Sequence, residues 1–164
     1  MITIEEFMTA DPYTMREADS MEAARAIMTT KHIRHIPITD KQNHLLGLVT
    51  QRDVLAASEP DLSHLADTDG SANNIHLGDI MIRNVKVVHP ANSLRQAALY
   101  LQEHKYGCLP VMSDHQLVGI ITDSDFIAIA INLLEQVELS EEDADTEDDF
   151  ADDAFAGIDL PGTG

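Results

Sequence analysis

A glycine, a threonine and an aspartate recur at one spacing in two places along this chain: Gly47, Thr50 and Asp53, then Gly119, Thr122 and Asp125. Each trio closes an apolar run, Leu45–Thr50 or Leu117–Thr122, and opens a helical pattern. A strand that stops where a helix starts leaves backbone N–H groups unpaired, and such groups attract phosphate. The threonine hydroxyl adds a donor. An ionised aspartate one turn into the helix is acceptor-only and suits the two hydroxyls of a ribose. A plainer reading stands beside this one. Thr50 with Asp53, and Thr122 with Asp125, have the spacing of an N-cap and its N3 acid, which stabilises any helix start. The residues alone favour capping.

The elements that must hold these trios also come in pairs. When Phe7-Met8-Thr9 is laid over Ile80-Met81-Ile82, Ser20-Met21 falls on Ser93-Leu94 and His35-Ile36-Pro37-Ile38 on Cys108-Leu109-Pro110-Val111. One loop residue is then lost, and Gly47-Leu48-Val49-Thr50 falls on Gly119-Ile120-Ile121-Thr122. Each copy predicts the same order. A short extended segment (Tyr13–Met15 or Lys86–Val88) precedes a helix N-capped by Ser20 or by Ser93, with Gln96 in place for a capping box. Helical apolar spacing follows: Met21, Ala24, Ile27 and Met28, then Leu94, Ala97, Ala98 and Leu101. A short strand through Pro37 or Pro110 comes next. Its proline lacks a ladder donor, so the strand should lie at an edge or start there. The apolar strand and a second helix close the unit. In the second copy that helix is expected to run to about Val137. A unit of ~50 residues cannot bury its own sheet, so the copies must pack on each other.

In these motifs the chain resembles the CBS domain, which usually comes in pairs. The carriers are the Phe-Met-Thr opening, the apolar-Pro-apolar strand, and the Gly-apolar-apolar-Thr-x-x-Asp junction, present twice across residues 7–55 and 80–134. The resemblance implies an α/β (α+β) fold of two βαββα repeats related by a pseudo-two-fold axis. The expected organisation is repeat one at 1–58, a linker at 59–79, repeat two at 80–137, and a disordered acidic tail at 138–164. It also implies an adenosine ligand between the repeats, AMP, ADP or ATP first and S-adenosylmethionine next. Asp53 and Asp125 would then take ribose, and Thr50 and Thr122 phosphate. Residues just before the strand proline line the pocket in similar modules. Here repeat one offers Arg34 and His35, both suited to phosphate, with Arg52 as a third cation. Repeat two offers the uncharged Gly107 and Cys108, so the two clefts should be unequal. Thr14, Met15, Ile33, Val87 and Val88 are possible adenine walls, with core the preferred reading for Met15 and Val88. The resemblance further implies a homodimer and, with no catalytic domain, a protein effector as readout.

Other chemistry is thinly supported. His32 and His35 have no Cys or Glu placed to complete a metal site. Asp143, Asp145 and Glu147 begin like a calcium loop, but Asp148 and Ala154 replace the needed glycine and glutamate. No nucleophile elbow or Gly-rich phosphate loop is present, so no enzyme is expected. The rival reading is a ligand-free CBS dimer that acts as an interaction scaffold.

The net charge of −19 is uneven: residues 138–164 carry eleven acids and no Lys or Arg. That balance argues against nucleic acid or an anionic membrane. No apolar run approaches ~20 residues, the first residues lack a signal-peptide pattern, and a single cysteine, Cys108, forbids an intrachain disulfide. A cytoplasmic protein is expected. Residues 56–79 read mostly as loop, with one helical turn possible at Leu62 and Leu65.

Overall fold

The computed structural model describes residues 1–59 and 75–153, the side chains of 143–153 excepted. The expected turn at Leu62 and Leu65 lies outside the described residues. Two compact units are present. The first is Met1–Asp123, and the second begins at Ser124.

In the first unit the helix, proline strand and apolar strand of each copy run in the predicted order; the 3-10 turn at Ile4–Glu6, the strand Thr9–Ala10 and the helical turn Leu77–Ile80, the last largely within the segment read mostly as loop, were not expected. A 3-10 turn at Ile4–Glu6 leads to β1 (Thr9–Ala10), α1 (Met21–Lys31), β2 (His35–Thr39), β3 (Leu45–Thr50) and α2 (Gln51–Ser58). The second copy supplies α3 (Leu77–Ile80), α4 (Leu94–His104), β4 (Cys108–Ser113) and β5 (Gln116–Thr122). Ser20 and Ser93 cap α1 and α4, accepting from the N–H groups of Ala23 and Gln96. Both helices stop at a left-handed residue in the same register, His32 and Lys105, each with φ 54°. Pro37 and Pro110 are fully buried. Each carbonyl accepts from the preceding extended segment, Met15 N to Pro37 O at 3.1 Å and Val88 N to Pro110 O at 3.0 Å. Thr39 N and Met112 N donate back across the same side to Met15 O and Val88 O. These strands are therefore bridged on both sides, and the edge expectation does not hold. The donor each proline lacks is simply not needed where a single carbonyl bond is made.

The repeats are joined by exchange. β1 of repeat one pairs antiparallel with β5 of repeat two, Thr9 opposite Ile120 and Ala10 opposite Gly119. In the matching place Ile82 of repeat two bridges Leu48 on β3 of repeat one, with both N–H···O bonds at 2.9 Å. The same reciprocity holds at the helix starts. Ile4 N donates to Asn92 O and Leu94 N to Ile2 O, while Leu77 N donates to Asp19 O and Met21 N to Ile75 O. Repeat one's core accordingly contains Leu77 and Met81 from repeat two, packed with Met15, Met28, Ile36, Val49 and Val54. Burial of each such side chain contributes about 1.5–3 kcal/mol, so the core of repeat one is incomplete without Leu77 and Met81. A smaller cluster of Leu48, Cys108 and Ile120 lies where β3 meets β4 and β5.

The second unit, as far as it is described, is the remainder of α5 (Asp123–Asp153). This corrects two expectations. The helix does not stop near Val137, and residues 138–153 are helical, not a disordered start to the tail. No proline or glycine interrupts this stretch, and its two alanines, Leu139 and four glutamates, strong helix formers, stand among six weakly helix-forming aspartates. Residues 154–164 lie outside the described part. Among the described residues no helix is long and apolar enough to cross a membrane.

The exchange leaves no room at Gly47. A Cβ there would meet the carbonyl oxygen of Ile82 at 2.7 Å and Met81 Sδ at 2.8 Å. At Gly119 the nearest atom is the flexible Met8 Sδ, at 2.5 Å. Gly47→Ala should therefore cost about 1–3 kcal/mol and Gly119→Ala less. Both are read as a lowered urea midpoint at unchanged slope. Equal, negligible costs would mean the exchanged segments are not held tightly.

Candidate functional site

The pairing of β2 with β3 sets His35 opposite Thr50. The residue before the strand proline and the residue that opens α2 thus share one end of the hairpin. Gln51 N donates to Arg34 O at 2.8 Å, and in repeat two Asp123 N donates to Gly107 O at 3.0 Å. Each helix start is tied to the pre-proline backbone of its own repeat in the same way.

Thr50 and Asp53 form a complete capping box. Asp53 Oδ2 accepts from Thr50 N at 2.9 Å and from Thr50 Oγ1 at 2.8 Å, and Asp53 N donates to Thr50 Oγ1 at 3.2 Å. The capping reading is therefore realised at this junction. The other carboxylate oxygen, Oδ1, takes no part in the box.

Around this junction opens a cleft of about 700 Å³. Arg34, His35, Thr50, Arg52 and Asp53 reach it from repeat one, and Ile82, Leu101, Lys105, Tyr106, Gly107 and Asp123 from repeat two. Its size lies within the range of ligand pockets. Three cations, Arg34, Arg52 and Lys105, stand with two acids, Asp53 and Asp123. Arg34 Nη2 lies 3.1 Å from Asp123 Oδ1, an ion pair between the repeats. His35 occupies the space that Gly107 leaves empty; a Cβ on Gly107 would meet His35 Nε2 at 2.6 Å. Burial holds the His35 pKa below its ordinary value, and the Arg34 charge pushes the same way, while Asp123 and Asp53 pull it back up. The imidazole is thus kept neutral by its desolvation more than by its neighbours. The arrangement can accept hydroxyls at Asp53, hold an anion between Arg34, Arg52 and Lys105, and offer Tyr106, Ile82 and Leu101 to a planar ring.

Six of the residues singled out from sequence meet in this cleft: Arg34, His35, Thr50, Arg52, Asp53 and Gly107. The others lie elsewhere. Cys108 is buried in the cluster with Leu48 and Ile120. Burial, aided by the Asp123 charge, pushes its thiol up to about 12, so it holds no thiolate. Ile33 packs against the core of repeat one. Thr14 is half-buried and lines neither this cleft nor the next. Val87 lines a second cleft of about 590 Å³ with Arg83, His44 and His115. Thr122 ends β5 opposite Cys108, and Asp125 stands half-buried in the first turn of α5. Met15 is core, as preferred. Ile82, Leu101, Lys105, Tyr106 and Asp123 were missed. The charge at Asp123, in the variable position after Thr122, was a readable signal. Ile82 had none, because only the exchange of segments brings it to the other repeat's β3. Among the described residues no group of three or more His, Cys, Asp or Glu could hold a metal.

Comparison with known proteins bears on the family and the fold. The model of the CBS domain family matches residues 4–60 and 77–132. Among solved structures, the chain is 44% identical to the Vibrio cholerae protein AcuB, named for acetoin utilization, with a TM-score of 0.72 over 84% of this chain and 96% of that one. It is 27% identical to CBSX2 of Arabidopsis thaliana in complex with AMP, with a TM-score of 0.69 over 81% of this chain and 98% of that one. A homoserine O-acetyltransferase from Methanococcus vannielii is 31% identical over 120 residues, 73% of this chain and 23% of that protein. The chain thus spans well under half the length of that curated relative.

The pKa of His35 makes a pH test. In the unfolded chain the imidazole titrates near 6.5, and in the folded chain it does so lower. Below about 6.5 the unfolded state binds the proton first, so stability falls as pH drops through that window. Unfolding free energy should begin to decline as pH falls through about 6.5, and His35→Gln should flatten part of that slope. An unchanged slope in the variant would show that His35 is not held neutral.

Proposed function

Because this chain belongs to the CBS domain family, carrying two copies of the domain, we propose that it is a non-enzymatic regulatory module that binds an adenine nucleotide in the cleft between its repeats. AMP, ADP and ATP come first, and S-adenosylmethionine is an alternative. The observation that carries this reading is the convergence of Asp53 with Arg34, Arg52 and Lys105 beside the Tyr106 ring in one cleft of about 700 Å³. The AMP complex of CBSX2, a similar chain, supports it. The cleft is built from both repeats, so a ligand there shifts the balance between two packings by its difference in affinity for them. Residues 1–58 serve as the first repeat; the second, expected from 80 to 137, takes in α3 and so opens at Leu77. The segment between them is the connection, and 138–164 is the acidic tail, which a protein effector would read. The capping box is the observation that favours the rival reading, a scaffold in which Thr50 and Asp53 only start a helix.

We further propose a homodimer through α5. Ile127, Ile131, Leu134 and Val137 recur at helical spacing and are at least half exposed. A second copy of the same stripe covers them in a coiled-coil-like seam.

Two measurements check these readings. AMP at a hundred times its dissociation constant adds about 2.7 kcal/mol, enough to raise the unfolding midpoint by several degrees. Asp53→Asn should lose most of that gain, taken relative to its own unliganded midpoint. No gain in the parent with any adenosyl compound would favour the scaffold. Sedimentation should give a dimer for the parent and a monomer for the Ile131→Glu, Leu134→Glu double variant; a monomeric parent would rule out the seam.

A further inference from the structure

We propose that the second cleft is a binding site for a free amino acid with an aliphatic side chain. The cleft holds about 590 Å³ and shares no lining residue with the one around Asp53. The proposal therefore stands apart from the nucleotide reading.

The chain builds this cleft once, although it builds the repeat twice. His44 and Leu45 come from the first hairpin, and the other lining residues from repeat two. In the alignment that sets Phe7 over Ile80, Arg83 falls on Ala10, Val85 on Pro12 and Val87 on Thr14. A repeat that folds with either set does not itself require a guanidinium and two valines there.

The polar groups are placed for a ligand. Arg83 is held by two bonds, Nη1 to Glu17 Oε1 and Nη2 to Gly78 O, both 3.1 Å. A guanidinium carries five N–H donors, so donors remain for a carboxylate. His44 Nδ1 is fixed on Asp40 Oδ2 at 2.9 Å, which leaves Nε2 as its second polar atom. Asp114 is the one acid among the described lining residues. Its carboxylate forms no ion pair with Arg83 or with another cation among the described residues. A cation and an anion thus line one cleft without pairing with each other, beside Leu45, Val85, Val87 and Met112. Glu17 already offsets part of the Arg83 charge. A plain anion therefore gains less here than a zwitterion whose ammonium Asp114 takes. Carboxylate, ammonium and aliphatic side chain match the three kinds of wall.

The turn that carries Asp114 is strained. Ser113 pairs with Gln116, so Asp114 and His115 between them make the turn. Both have positive φ, 48° and 65°. Glycine and asparagine suit such a turn, and histidine does not. Strain of this kind gathers where side chains are used.

The test is calorimetric titration of the full chain with L-leucine, with isocaproate (the same skeleton without the ammonium) and with isoamylamine (without the carboxylate). Leucine should bind the parent more tightly than either analogue. Asp114→Asn places an asparagine where the turn favours one, so the variant should fold. It should weaken leucine roughly tenfold and leave isocaproate unchanged. Arg83→Gln should weaken leucine by a similar factor and leave isoamylamine unchanged. No leucine binding to the folded parent, by calorimetry and by thermal shift, would overturn the assignment. So would isocaproate binding as tightly as leucine, or an unchanged leucine affinity in both variants.

Discussion

Each repeat gives its opening segment to the other. Thr9–Ala10 lies along β5, Ile82 lies along β3, and Leu77 and Met81 fill a core whose other members come from repeat one. Everything else in the first unit depends on this exchange. It closes the open side of two short sheets, buries apolar side chains that ~50 residues could not bury alone, and brings residue 82 beside a helix start at residue 51. The glycines at 47 and 119 are the steric condition for it, since each leaves space for a backbone strand to lie across the sheet. The cleft is a by-product of this packing: it opens beside the place where the two pre-proline segments meet, His35 against Gly107.

The Thr50–Asp53 pair shows how one piece of local chemistry serves two ends. A helix start needs its first N–H groups satisfied, and the box does this with one carboxylate oxygen and one hydroxyl. The second carboxylate oxygen of Asp53 takes no part in it and borders a cleft with three cations. Capping and ligand binding are therefore compatible. The structural role fixes the carboxylate in advance, which lowers the ordering cost of any ligand that uses it.

Charge is distributed with the same economy. The chain is strongly acidic, with net charge −19, yet the cleft gathers Arg34, Arg52 and Lys105 against only Asp53 and Asp123. A local excess of cations in an acidic chain can hold an anion without making the protein a general polyanion binder. His35 adds shape more than charge. Its ring fills the gap at Gly107, and burial keeps it neutral. In the second unit α5 carries an exposed apolar stripe followed by a run of acids, a pattern that suits a contact at one end of the helix and solvent at the other.

Much of this was written in the sequence, for a local reason. Helix caps, apolar periodicity and strand prolines act over three or four residues, so the serine caps, the Thr50–Asp53 box, the two hairpins and their order were all legible, and the duplication made each reading count twice. Local composition also misled once: the acids after Val137 suggested disorder where α5 continues to Asp153 with no proline or glycine to break it. What only the tertiary structure decided are the meetings of residues far apart in the chain. Arg34 pairs with Asp123, His35 fills the space at Gly107, Ile82 crosses to Leu48, and Cys108 sinks into the core while Tyr106 lines the cleft. No neighbour of any of these residues encodes its partner. The contact exists because two copies must bury their sheets against each other, and that requirement is satisfied by the whole packing and by no single segment.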